Sequence, residues 1–314
     1  MALSVGVDVG GTKVLAMAID EDGTRVGAEV RRPTPSGADA LIDTIAGVIG
    51  EVRASAGDVV AVGLGVPGLV DRDGRLTVGP NLPGVSSVPF RAVLESRLDL
   101  PVSVDNDATC ATWAEVRFGA ARGETEAFLV TLGTGIGGGF VTGGVLQRGE
   151  HGFAGEPGHM VVDPDGPDCP CGRRGCWERF ASGSGLGRLA QEAVAEGRGA
   201  RLVELAGGTG SVRGEHVTVA AQEGDADALA IMERFGWWAA LGIANLVNVF
   251  DPAVVVVGGG LVESGDVVLA PIRAAFGDLV LAAAHRPKVP ILPAELGGDA
   301  GAIGAALIGF ERAR

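Results

Sequence analysis

Residues 3–20 read "LSVGVDVGGTKVLAMAID". Two short apolar runs flank "GGTK", a pattern of strand, tight turn, strand. The "EDG" at 21–23 turns the chain into a third strand near 24–32, and a helical pattern follows at 38–55. A buried strand is expected at 59–67, a loop carrying "GPNLPG" at 79–84, a helix at 89–98, a strand at 101–108 that ends on polar residues, and a helix at 110–119 closed by Gly119. The outline then recurs: "EAFLVTLGTGIGGGFVTGGVLQRG" (126–149) is again strand, glycine-rich turn, strand, turn, strand. Residues 150–185 are irregular. Helices are expected near 186–196, 225–248, 269–284 and 299–313, with strands at 252–261 and near 288–292. Alternating strands and helices define an α/β class. The two hairpin-led halves form a weak internal repeat.

The chain has 314 residues, which suits one large domain or two of ordinary size. Its net charge of −14 argues against nucleic acid as a partner, because phosphate backbones recruit basic surfaces. The start lacks a signal peptide's basic and long apolar segments, and no apolar run reaches the ~18–20 residues that cross a bilayer. The expectation is a cytoplasmic protein with no membrane partner and reduced thiols. Clustered cysteines then favour a metal over structural disulfides.

In "DVGGTK" (8–13), Gly10 and Gly11 let backbone amides approach an anion, Thr12 and Lys13 add a hydroxyl and a charge, and Asp8 is suited to a metal-bound water. The same residues also read as an ordinary hairpin turn. "LGTGIGGG" (132–139) and "GLGVPG" (63–68) both match G-x-G-x-x-G. A dinucleotide fingerprint needs a helix directly after the glycines. Gly133–Gly138 lead into a strand, so that reading is rejected, and no P-loop motif is present. Two hairpin loops, with Thr134 and Gly135 in the second, are left to grip nucleotide phosphates. Gly258, Gly259 and Gly260 would lie under the adenine.

"CPCGRRGCWE" (169–178) holds Cys169, Cys171 and Cys176. Tetrahedral zinc needs four ligands, and Cys₃His is a common structural set. His159 lies ten residues before Cys169, whereas Cys110 sits in a helix pattern and reads as a core thiol. The alternative is a loop with free thiols. "VDNDA" (104–108) supplies Asp105, Asn106 and Asp107 at a strand end, where α/β folds place ligands. The plainer reading there is helix capping by Asp105 or Asp107.

Taken in order, "DVGGTK", "LGTGIGGG", "EPGH" (156–159) and "CPCGRRGCWE" closely resemble the ROK sugar kinases, especially bacterial glucokinases, from near residue 4 to near residue 308. The resemblance implies an actin-like ATPase (ribonuclease H-like) fold of two α/β domains flanking a cleft. A small domain would span 1–115, completed by the C-terminal helix 299–314. A larger one would span 116–298, with a zinc-binding loop at 150–180. It implies ATP with Mg²⁺ as donor, a structural Zn²⁺ on His159, Cys169, Cys171 and Cys176, and a homodimer or homotetramer. The implied reaction is phosphorylation of the 6-hydroxyl of glucose, with Asp107 as base and Asn81, Asn106, Asp107, Glu156, His159 and Glu178 around the sugar. His159 would ligate zinc through one ring nitrogen and meet the sugar with the other.

The alternatives are kinases for fructose, mannose or an N-acetylhexosamine, a polyphosphate-using kinase, and a sugar-responsive repressor of the same family. The last carries an added N-terminal helix-turn-helix module, whereas this chain starts directly on the first kinase strand. Two further expectations concern the loops. Residues 150–180 have few apolar anchors, so the metal would have to hold them. The glycine loop around Gly135 would lie far from them, so Gly135→Val should spare glucose affinity. Trp237 and Trp238 read as core or subunit interface.

Overall fold

The computed structural model describes residues 2–313. Strand β1 (Leu3–Val9) is buried along its length apart from half-buried Asp8, as a valine-rich central strand should be. β2 (Lys13–Asp20) returns antiparallel to it, and β3 (Arg25–Pro33) lies antiparallel to β2. Helix α1 (Ala38–Ala56) turns Leu41, Ile42, Ile45, Val48, Ile49 and Val52 inward, the three-four spacing of an amphipathic helix. β4 (Val59–Val66) runs parallel to β1. β5 (Leu69–Val70), β6 (Leu76–Val78) and β7 (Ser86–Val88) make a small antiparallel sheet of their own. After α2 (Phe90–Leu98), β8 (Val102–Asn106) pairs parallel with β4. The strand expected to run to 108 stops at Asn106, because the Asn106 side chain accepts the Ala108 and Thr109 N–H groups and starts α3 (Asp107–Phe118).

β9 (Ala127–Leu132), β10 (Ile136–Thr142) and β11 (Val145–Leu146) follow. Beyond the cysteine segment come α4 (Glu178–Ala181), α5 (Gly183–Ala195), α6 (Ala200–Ala206), α7 (Gly214–Gln222) and α8 (Ala226–Phe250). The sequence pattern does not anticipate α6 and α7, which are short. β12 (Val254–Gly258), α9 (Asp266–Leu279), β13 (Ile291–Pro293) and α10 (Ala300–Ala313) complete the chain. The large sheets run β3-β2-β1-β4-β8 and β11-β10-β9-β12-β13. Numbered within its own sheet, each reads 3-2-1-4-5, so the weak repeat in sequence is a repeat of sheet topology.

The chain divides into two compact units. The first takes the residues up to Thr125, Gly139–Gly155 and those from Glu295 on; the second takes Glu126–Gly138 and Glu156–Ala294. The expected division at 115/116 is displaced, and 139–155 moves from the second body to the first. Packing explains why. A Cβ on Gly139 would stand 2.4 Å from Thr112 Oγ1, and Arg72 donates to the Gly149 carbonyl. Buried Glu115 draws in the C-terminal segment by accepting the N–H groups of Ala120, Glu295 and Leu296 at 2.8, 3.2 and 2.8 Å. Helix α10 then lies on the first sheet at backbone contact. A Cβ on Gly63 would stand 1.7 Å from the Ala305 carbonyl oxygen, and one on Gly304 1.7 Å from that of Cys110. No helix among the described residues is long and apolar enough to cross a membrane.

Candidate active site

In the first unit, the turn between β1 and β2 is pinned on both sides. Gly10 N–H donates to the Lys13 carbonyl (2.8 Å), and Thr34 Oγ1 donates to the Gly10 carbonyl (2.7 Å). A Cβ on Gly11 would lie 3.2 Å from the Asn81 carbonyl oxygen, so the glycine loop and the Asn81 loop touch. Asp8, at the end of β1, has its carboxyl pushed up to about 7. Burial is the main cause, the Asp107 charge adds to it, and Lys13 opposes it. Asp107 also lies above the ordinary carboxylate range, because burial outweighs the backbone N–H groups it accepts, among them Ala108 at 2.9 Å. The charges of Asp107 and Lys13 therefore reach Asp8. A desolvated carboxylate such as that of Asp8 is a donor suited to a hard cation such as magnesium.

The cap of α3 is Asn106, not Asp105 or Asp107. Its carboxamide oxygen accepts Ala108 and Thr109 N–H at 2.9 and 3.1 Å, and its Nδ2 donates to the Gly68 carbonyl at 3.1 Å. One N–H of the carboxamide remains to meet a ligand. Asp105 points elsewhere, into an ion pair with Arg148.

In the second unit the cysteine segment folds back on itself. Cys169 N–H donates to the Arg173 carbonyl (2.8 Å), Gly175 N–H to that of Pro167 (2.9 Å) and Trp177 N–H to that of Met160 (2.8 Å). The result gathers the ligating atoms of His159, Cys169, Cys171 and Cys176 within 4.8 Å of one another. Cys171 and Cys176 sulfurs are 3.6 Å apart, and Cys169 Sγ is 3.9 Å from His159 Nδ1. Thiolates bound ~2.3 Å from a tetrahedral zinc stand about 3.8 Å from each other, so four donors of the right kind occupy about the right volume. Cys110 is buried in the first unit, as expected of a core thiol.

His159 turns Nδ1 toward the thiols and Nε2 toward Glu156 Oε2, 4.0 Å away. Glu178, the first residue of α4, places Oε1 3.2 Å from Cys169 Sγ and 3.8 Å from His159 Nδ1. Its other oxygen would stand 2.7 Å from a Cβ on Gly135. The glycine loop and the cysteine loop, expected to be far apart, are neighbours; Gly183 N–H also donates to the Gly133 carbonyl at 2.7 Å.

The expectation that 150–180 has too few apolar anchors to hold its shape without a metal fails at its C-terminal end. Trp177 is fully buried, its Nε1 donates to the Trp238 carbonyl at 2.7 Å, and its indole fills the space where a Cβ on Gly242 would be. Phe180 stacks on Trp238 with ring centroids 4.1 Å apart. Trp238 thus belongs to this packing, while Trp237 is partly exposed.

A cavity of about 960 Å³ opens in the second unit. Of the residues singled out from sequence, Thr134 and Gly260 line it. Gly258 and Gly259 do not: Gly259 has φ +88° and backs onto Leu132, so its glycine serves strand packing. Ser184, Arg188 and Gln191 on α5 and Arg213 and Thr218 at α7 form much of the wall, and sequence reasoning missed them. The signal for the first was there in "SGSGLGR" (182–188), small residues opening a helix; the second comes from a helix whose existence was not anticipated.

Two α/β units on sheets of one strand order, one holding two carboxyls held above their ordinary range and the other a cavity beside a glycine turn, define an actin-like ATPase type of sugar kinase. The chain matches the ROK family over residues 4–311 and belongs to it. A glucokinase of Streptomyces coelicolor is 40% identical over 317 residues, 99% of this chain and 98% of that one. A glucokinase of Thermotoga maritima is 36% identical over 311 residues, 98% and 97% of the two chains. The crystal structure of a ROK family glucokinase from Streptomyces griseus in complex with glucose and AMPPNP superposes with a TM-score of 0.86 at 39% identity, covering 98% of this chain and 99% of that one.

Proposed function

We propose that the chain is an ATP-dependent glucokinase that converts glucose to glucose 6-phosphate. The observation that carries this reading is near-complete coverage of both chains at 36–40% identity with glucokinases, one of them solved with glucose and an ATP analogue. Asp107 takes the proton from the glucose 6-hydroxyl as that oxygen bonds to the γ-phosphorus. The bond from phosphorus to the bridging oxygen breaks, and ADP leaves. A carboxyl held above its usual range suits a base that must accept a proton near neutrality.

Asn81, Asn106, Glu156, His159 and Glu178 bind the sugar hydroxyls, Asn106 as a donor only. Gly10, Gly11, Thr12 and Lys13 receive phosphate oxygens, as do Thr134 and Gly135, and Gly260 meets the base. Asp8 is the residue to hold magnesium, which when bound supplies positive charge against the phosphate oxygens. His159, Cys169, Cys171 and Cys176 would hold a structural zinc whose part is to fix the segment that carries Glu156 and Glu178. A cytoplasmic homodimer or homotetramer completes the proposal.

A coupled assay with glucose, fructose, mannose and N-acetylglucosamine, each with ATP or polyphosphate, tests it. Glucose with ATP should give the highest kcat/KM. A tenfold preference for another sugar or donor would overturn that assignment, and no turnover with any pair would overturn the kinase reading.

A further inference from the structure

The first unit has a second cavity, of about 400 Å³, that shares no residue with the groups assigned to glucose, ATP or metal. Four arginines line it, Arg72, Arg91, Arg148 and Arg312, against three carboxylates, Asp71, Asp105 and Glu311. On a chain of net charge −14 this is a local excess of cation.

Most of the carboxylate capacity is already engaged. Asp71 Oδ1 accepts the Asp73 and Arg75 N–H groups, both at 2.9 Å. Asp105 pairs with Arg148 and accepts the Asn106 N–H at 2.9 Å. Glu311 stands 3.9 Å from Arg148, and burial pushes its carboxyl up toward the neutral form.

Arg72 and Arg91, by contrast, make no ion pair among the described residues. Arg72 donates to the Gly149 carbonyl, and Arg91 Nη1 to the Arg72 carbonyl at 3.0 Å. Arg91 Nε is buried with no hydrogen-bond partner among the described residues, a costly state for a charged group. Burial, the largest influence, and the nearby Arg312 disfavour the Arg91 charge, while Glu95, Asp73 and Asp71 favour it.

We propose that this cavity binds a phosphate-bearing small anion, with Arg72 and Arg91 as its principal ligands. The guanidinium fork matches phosphate oxygens in pairs. The volume lies in the range of small-ligand sites and exceeds what a bare phosphate ion fills, so a sugar phosphate is accommodated.

The test is calorimetric titration of the full chain saturated with glucose and AMPPNP, so that the reaction site is filled. Glucose 6-phosphate and inorganic phosphate are the two probes. One further equivalent should bind. Arg72→Gln/Arg91→Gln should weaken it at least tenfold while kcat and both KM values in phosphate-free buffer stay within twofold. Should the double variant fail to fold, Arg72→Gln alone, at an exposed position, should still weaken binding severalfold. Tighter binding of glucose 6-phosphate assigns the site to sugar phosphates, and equal binding assigns it to the free ion; both uphold the anion site. No further binding of either probe, or binding indifferent to these substitutions, overturns it.

Discussion

Asp8 and Asp107 hold their protons more tightly in the folded chain than an ordinary carboxyl does, and this has consequences for stability and for turnover. Unfolding returns Asp8 to its ordinary 3.8 from about 7 and so releases a proton between those values. Its contribution is intact below the lower value and is lost as pH rises toward the upper one. In metal-free protein kept in chelator, thermal midpoints should fall across this window, and Asp8→Asn should make the fall shallower. An unchanged slope would mean that Asp8 keeps an ordinary value. Asp107→Asn should leave the fold and glucose binding in place but lower kcat by ~10²–10⁴, the usual loss for a positioned base. Retention of more than about a tenth of wild-type kcat, well short of that loss, would remove Asp107 from the role. The two residues could be suspected from "DVGGTK" and "VDNDA", but not the influence of Asp107 on Asp8, because nearly a hundred residues separate them in sequence.

Two glycine positions show how differently the elements use the residue. Gly63 on β4 has its α-hydrogens against the Ala305 carbonyl of α10, and an added methyl would meet that oxygen at 1.7 Å. Gly63→Ala should therefore cost about 1–3 kcal/mol by overpacking. Gly50, on the exposed side of α1, has nothing within 4 Å of its would-be Cβ, so Gly50→Ala should stabilise by about 0.5–1 kcal/mol through helix propensity. Urea denaturation of both variants checks the pair, and equal effects would contradict the docking of α10 described above. The β9–β10 turn gives a sharper case. Because Gly135 backs onto the Glu178 carboxylate, Gly135→Val should raise the KM for ATP and also weaken glucose binding without nucleotide. Tryptophan fluorescence reads the second effect. Unchanged glucose affinity would mean that Glu178 has room to yield or does not touch the sugar.

Metal content tests how the second unit is held together. One zinc per chain is expected by elemental analysis, and Cys171→Ser should lower it. The two ends of the cysteine segment should respond unequally. Trp177 and Phe180 are packed against α8 without help from a metal, so α4 and α5 should stay folded. His159, which precedes the thiols, should lose its aim. Glucose affinity should fall in Cys171→Ser, while the far-ultraviolet spectrum changes little. A fully active, metal-free wild type would remove zinc from the account and leave three unexplained thiols.

Short-range information was legible without coordinates. The two glycine-turned hairpins, the alternation of strand and helix, and the gathering of three cysteines and a histidine within eighteen residues all follow from periodicity, turn chemistry and ligand spacing, each of which acts over a few neighbours. The long-range pairings were not legible. Arg148 meets Asp105 across 43 positions, Trp177 meets Trp238 across 61, and Glu115 receives Leu296 across 181. The helices lining the large cavity and the return of 139–155 to the first unit belong to the same class. Most buried charges and indole N–H groups find a partner, but which one each finds depends on the surfaces that sheet order and helix packing bring together, and no local pattern encodes that.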